Sequence, residues 1–200
     1  MRWCGHTGWK LGWEPLRLLL SLLMAMPAVL RADDAPAAMS REYEVKAALL
    51  FNFAKYGEWP EASLQTSPFR FCIAGRPELA SWLSTRLRGQ RVHALVVDVV
   101  DIGNDLSPGC HLLFLSSTIT IERQRGLIAE TQQRPILVIG EGADILAEGA
   151  AVHLFLAEGT VHFEVNLNTL AQHNLQLSSK LLRHADQVFG KNSADEGGLQ

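Results

Sequence analysis

The 200 residues contain no apolar run of the roughly 20 residues that a helix needs to cross about 30 Å of hydrocarbon. The run Leu18–Leu30, LLLSLLMAMPAVL, is about a dozen residues long and follows Arg17, which is the length and flank of the hydrophobic region of a secretory signal. Cleavage after Ala28, Ala32 or Ala37 would fit. Ala32 is favoured because Asp33-Asp34 then opens a polar stretch. No cysteine follows the run to carry a lipid. The reading is a signal peptide over 1–32 and a linker over 33–40, an uncleaved membrane anchor being the alternative. Trp3, Trp9 and Trp13 ahead of Arg17 are unusual for a signal.

Basic clusters are also missing. Removing residues 1–32 takes away Arg2, Lys10, Arg17, Arg31 and Glu14, so the formal charge moves from −3 to −6. That argues against nucleic acid or an anionic membrane as the main partner. HExxH, CxxC and GxSxG are absent. Ser116-Ser117 and Ser178-Ser179 lack a nucleophile-elbow context, and no catalytic, cofactor-binding or metal-binding residue is assigned. Gly140-Glu141-Gly142 begins like a phosphate loop but has no phosphate lysine, and reads as a turn. Gly75-Arg76-Pro77 follows a strand and has the topological position of a ligand loop for a small anion or metabolite. His153, His162 and Glu164 share one face of a hairpin. That face is either a metal site or, as is more usual, a solvated one.

Cysteine is scarce. With Cys4 gone in the signal, Cys72 and Cys110 remain as an even pair in an exported protein. They form either a disulfide or two buried free thiols; a bridge closing about 38 residues would stabilise by roughly 4 kcal/mol.

What is present is apolar and periodic. Hydrophobic residues make up 48% of the chain and charged residues 20%, a globular rather than disordered balance. VKAALLFNFAKYGEWP, Val45 to Pro60, spaces Val45, Leu49, Phe53 and Tyr56 as one helical face, which Leu50, Phe51 and Ala54 widen. The helix is expected over about 41–57, with Ser40 as cap and Gly57 ending it in a left-handed conformation. Strands follow at Phe69–Gly75, Arg91–Val100, Cys110–Ser117 and Pro135–Gly140. Helices are expected from Pro77 to about Arg88 and over about 119–132, the latter capped by Ser117 or Thr118. Ala151–Leu167 reads as a hairpin turning at Glu158-Gly159, which sets His153 opposite Glu164 and Phe155 opposite His162. Its core face is Val152, Leu154, Leu156, Val161, Phe163 and Val165. After a short helical turn at 168–172, a helix is expected over Ser178–Phe189, then a disordered tail over 191–200. The fold class is α/β: a single compact domain, 41–190, with a mixed sheet flanked by helices and preceded by a signal peptide.

Taken together, VKAALLFNFAKYGEWP, FRFCIAG, CHLLFLS, PILVIGEG and VHFEVNLNTLAQHNLQLSSKLL resemble, in that order, the YfiR family of exported bacterial proteins. The resemblance implies a periplasmic regulator rather than an enzyme, with no cofactor. It implies that the chain forms a homodimer and represses an inner-membrane diguanylate cyclase, or a related sensor kinase, through its periplasmic part. It also implies control of cyclic di-GMP and biofilm, and sequestration by an outer-membrane lipoprotein. Cys72 and Cys110 fall where family members carry a disulfide. The second cysteine pair of the name-giving member has no counterpart in GADILAEGAAVHLFL, which puts redox switching through that pair in doubt. The apolar excess places the expected partner surface on Phe51, Tyr56, Trp59, Leu181 and Leu182. The alternative is a periplasmic small-molecule binding module that feeds a membrane sensor kinase through the loops at Gly75 and Gly140.

Overall fold

The computed structural model describes residues 34–65, 68–103 and 105–190. The expected signal peptide, with Cys4, and the expected tail lie outside the described residues. The chain divides into two units, Met1–Pro36 and Ala37–Gln200, and the architecture below is that of the second.

The first helix, α1, runs Asp34–Tyr56. It therefore begins inside the stretch expected to be a linker. Glu42 and Lys46, one turn apart, form an ion pair on it. Leu50, Phe53 and Ala54 are fully buried, so most of the apolar excess read from the sequence is core. Gly57 does not stop the helix by turning left-handed. It begins the two-residue strand β1 (Gly57–Glu58), paired antiparallel with β9 (Gln176–Leu177). The position needs glycine for space: a Cβ there would lie 2.5 Å from the Trp59 ring and 2.7 Å from the Phe53 carbonyl oxygen.

The main sheet is mixed and has eight strands. They are β2 (Phe69–Ala74), β3 (Arg91–Val92), β4 (Leu95–Ile102), β5 (Cys110–Leu115), β6 (Leu137–Gly140), β7 (Val152–Ala157), β8 (Thr160–Asn166) and β10 (Gln187–Phe189). Their order is β10-β8-β7-β6-β5-β2-β4-β3. The central strands β4, β2, β5, β6 and β7 run parallel, β3 runs antiparallel to β4, β8 runs antiparallel to β7, and β10 runs parallel to β8. Helix α2 (Pro77–Arg86) follows β2 and α3 (Ile121–Thr131) follows β5. Short helices α4 (Leu167–Gln172) and α5 (Ser179–Leu182) complete the chain order.

Strand alternation divides the core in two. Phe69, Phe71 and Ile73 of β2 and Phe114 of β5 pack with Leu50 and Phe53 of α1 and Leu79 and Leu83 of α2. On the other face Cys72, Leu113, Leu115 and Val138 pack with Leu127 and Ile128 of α3. All six residues of β5 are buried, as expected of a parallel strand covered on both sides.

Four local expectations are corrected. The strand expected over 91–100 is broken by a tight turn at His93 and Ala94, with φ of 47° and 68°. No glycine marks that turn. Helix α3 is capped by Thr120, whose hydroxyl accepts from the Arg123 amide at 3.3 Å, rather than by Ser117 or Thr118. The hairpin register holds, with His153 opposite Glu164 and Phe155 opposite His162, but Leu156 is 59% exposed because β7 runs beyond the end of β6. The last helix stops at Leu182. Residues 187–189 instead add to the sheet edge beside β8, where the Asp186 amide donates to the Phe163 carbonyl at 2.9 Å.

Candidate functional site: a charged cleft at the strand ends

Strand β2 crosses through α2 to β4 on one side, whereas β5, on its other side, crosses through α3 to β6. The two connections leave on opposite faces of the sheet, which opens a crevice at the carboxyl ends of β2 and β5. The loops there are Gly75-Arg76, Ser116-Ser117-Thr118 and, after β6, Glu141-Gly142. The chain turns out of β2 at Gly75 with φ of 81°, and a Cβ there would lie 2.5 Å from Ile119. The Thr118 hydroxyl donates to the Gly75 carbonyl at 2.5 Å, which ties the two loops together.

Glu141 sits at the centre and is buried. Its Oε1 pairs with Lys46 of α1, which also holds Glu42. Its Oε2 accepts from the Ser116 hydroxyl at 3.2 Å, the Ser117 amide at 3.2 Å and the Ser117 hydroxyl at 3.3 Å. The Arg76 guanidinium stands 3.8 Å away. Burial pushes the Glu141 carboxyl up, but the hydrogen bond and charge of Lys46, the Ser117 amide and the Arg76 charge outweigh it. The carboxyl is left below its ordinary range. Arg76 donates from Nε to the Ser116 hydroxyl at 3.0 Å and from Nη1 to the Tyr43 hydroxyl at 3.5 Å. Burial lowers its pKa, and the Tyr43 hydrogen bond with the Glu141 charge more than restores it, so the net direction is up.

These groups line a cleft of about 440 Å³, closed on one side by His153, Leu154, Phe155, Leu156 and Glu164 of the hairpin. His153 Nδ1 lies 3.2 Å from Glu164, and the His153 and Phe155 rings stack at 5.1 Å. His162 pairs with Asp186 at 2.9 Å instead of joining them. Among the described residues no group of three metal-type side chains converges.

The residues assigned from sequence lie elsewhere. Cys72 and Cys110 are bridged, with Cα atoms 6.0 Å apart. Trp59 packs edge-on against Phe69 at 5.1 Å, and it and Leu181 are buried in the core. Tyr56 and Leu182 are each half-buried; the Ser178 amide donates to the Tyr56 carbonyl at 3.0 Å, and Lys180 covers the Tyr56 ring at 5.6 Å. Phe51 is half-buried in a separate groove of about 520 Å³ beside Trp82 of α2. The structure thus brings the start of α5 to Tyr56 and sets Phe51 apart in its own groove. Sequence reasoning did not join Glu42, Lys46 and Tyr43 to the site. The available signal was the Glu42/Lys46 pair at i,i+4, which on its own describes many solvated helices.

A family model described as YfiR/HmsC-like matches residues 43–186. The match spans every element from α1 to the start of β10, including all the residues of the cleft except Glu42. Among the described residues no helix is long and apolar enough to cross a membrane.

Proposed function

The chain belongs to the YfiR/HmsC-like family, and from that premise we propose that it is an exported repressor. In this reading it binds the periplasmic sensor region of an inner-membrane diguanylate cyclase, or of a related sensor, and so controls cyclic di-GMP signalling. The family supports the coarser statement, a periplasmic regulator of such signalling. What supports the finer one is that the match runs through nearly the whole folded unit, residues 43–186. A regulator of this kind holds its target in one of two conformations and can shift the balance only by its difference in affinity for them.

The contact surface in this reading is the outer side of α1 and its surroundings. Val45 is exposed, and Phe51, Tyr56 and Leu182 are half-buried. Trp59 and Leu181 act indirectly, by holding that surface in place from the core. A second copy of the chain and an outer-membrane lipoprotein are the further partners of this reading.

The test is capture from solubilised membranes with the tagged chain, under oxidising and reducing conditions. Recovery of an integral membrane cyclase or sensor kinase, lost on Phe51→Ala or Tyr56→Ala, is the expected result. Recovery of no membrane protein in either condition would overturn the proposal. Normal capture by folded Phe51→Ala, Tyr56→Ala and Leu182→Ala variants would move the surface elsewhere.

A further inference from the structure

The charged cleft is more elaborate than a fold of this kind requires. Glu141 is already satisfied by Lys46 and the two serines, so it does not need Arg76. Arg76, for its part, meets Glu141 only at 3.8 Å, beyond hydrogen-bond reach. Its fork donates to Ser116 and, at the long distance of 3.5 Å, to Tyr43. A guanidinium has five N–H donors in a planar array that matches a carboxylate. Its side chain keeps 24% of its surface open, and it lines the cleft together with Leu154, Phe155 and Leu156. Leu156 is a large apolar side chain that is 59% exposed, on the part of β7 that runs beyond the end of β6 and lines the cleft.

We propose that this cleft is a binding site for a small organic monocarboxylate with an apolar body. The carboxylate takes the open edge of Arg76, and the body lies against Leu156. The position fits, since open α/β sheets take ligands at the carboxyl ends of strands where the connections diverge. The volume of about 440 Å³ falls within the range of small-molecule sites, about 300–1,000 Å³.

The other charges set the limits of selectivity. Glu42, Glu141 and Glu164 face two permanent cations, Lys46 and Arg76, across the cleft. Lys46 is taken by Glu42 and Glu141, so a single carboxylate is met by Arg76, whereas a second negative charge would face the three carboxylates with no further lysine or arginine among the lining residues. Dicarboxylates and phosphates are therefore rejected, and a single carboxylate is the most the site accepts. Loss of the apolar contacts would leave a bare acid such as acetate with little affinity. The inference does not depend on the repressor reading, and would stand if no membrane partner were found.

The test uses phenylacetate as probe, with succinate, inorganic phosphate and phenethylamine as comparisons, and reads both calorimetric titration and thermal unfolding. Phenylacetate should give saturable binding and raise Tm, and the comparisons should not. Arg76→Gln should weaken binding by more than tenfold. Because Arg76 also touches Ser116 and Tyr43, Leu156→Glu serves as the second variant: it alters an exposed position, so the fold is kept, and it should abolish binding by placing a carboxylate at the wall. No saturable binding of phenylacetate, equal binding of phenethylamine, or unchanged binding by Leu156→Glu would each overturn the proposal.

Discussion

Replacing Lys46 with Met removes the cation that anchors Glu141 and leaves the helix intact, since the two side chains have similar length and helix propensity. The pair is secluded, with side-chain exposures of 8% for Lys46 and 9% for Glu141. Removing one partner of a buried ion pair costs about 3–5 kcal/mol, because the other charge is left without its counter-ion. Here the Ser117 amide, two serine hydroxyls and Arg76 still face the carboxylate, so the loss belongs at the lower end, ~3 kcal/mol. For a domain of this size that is a fall in Tm of ~6–12 °C. The pH dependence separates this cause from simple loss of packing. The Glu141 carboxyl is held below its ordinary range in the folded chain. The stability it contributes is therefore present above the unfolded carboxyl pKa of about 4.3 and is lost as pH falls through the folded value. In the variant, burial remains and the main cation does not, so the carboxyl protonates more easily. Chemical denaturation of both proteins at pH 7 and pH 3.5 should show the full gap at the first pH and a narrower one at the second, where the carboxyl has begun to protonate. Adding Glu141→Gln to the variant should recover part of the loss at pH 7. A gap of the same size at both pH values, or one under ~1 kcal/mol at pH 7, would refute the reasoning.

Four further outcomes are expected. Replacing Cys72 and Cys110 with Ser should lower stability by roughly 4 kcal/mol, the chain-entropy value for a loop of this length; denaturant midpoints with and without reductant check it, and a reductant-insensitive native protein would contradict it. Gly57→Ala should destabilise by about 1–3 kcal/mol because its Cβ would strike the Trp59 ring and the Phe53 carbonyl. Gly126→Ala, within α3 and with open space around it, should stabilise by roughly 0.5–1 kcal/mol, so paired melting curves give opposite signs. His111 is buried against Phe69, with ring centroids 4.6 Å apart, and burial holds its pKa below the ordinary value. Its unfolded form takes up a proton first, so stability should fall as pH drops below about 6.5, and NMR titration of the imidazole should show the lowered midpoint.

The periodic parts of this fold were open to sequence reading, and the parts set by neighbours were not. The short apolar runs FRFCIAG and CHLLFL, the β7–β8 register and the helix opened by Pro77 follow from local pattern, and the structure has them. The failures occur where tertiary pairing overrides propensity. Leu181, Leu182, Ala185, Val188 and Phe189 have helical spacing, yet only the first turn forms. The Asp186 amide finds the Phe163 carbonyl, and the Asp186 carboxylate finds His162, so the chain ends as an edge strand. His93-Ala94 adopts a turn that usually marks itself with Asn or Gly. There the antiparallel pairing of β3 with β4 imposes the positive φ.

The cleft was unreadable for a different reason. Each of its parts had an ordinary local meaning: Glu42 and Lys46 as a helix pair, Ser116-Ser117 as a strand end, Gly140-Glu141-Gly142 as a turn. Only the strand order places β2, β5 and β6 side by side, so that three loops separated by about forty and twenty-five residues meet on one carboxylate. The same limitation applies to the apolar excess of α1. Composition counts Leu50, Phe53 and Phe51 alike, but the first two are fully buried beneath the helix and the third borders an open groove. An excess of apolar residues on one helix therefore locates a partner surface only after the residues the sheet consumes have been subtracted. For this chain the subtraction removes Trp59 and Leu181 and leaves Val45, Phe51, Tyr56 and Leu182 as the side chains through which a partner could be touched.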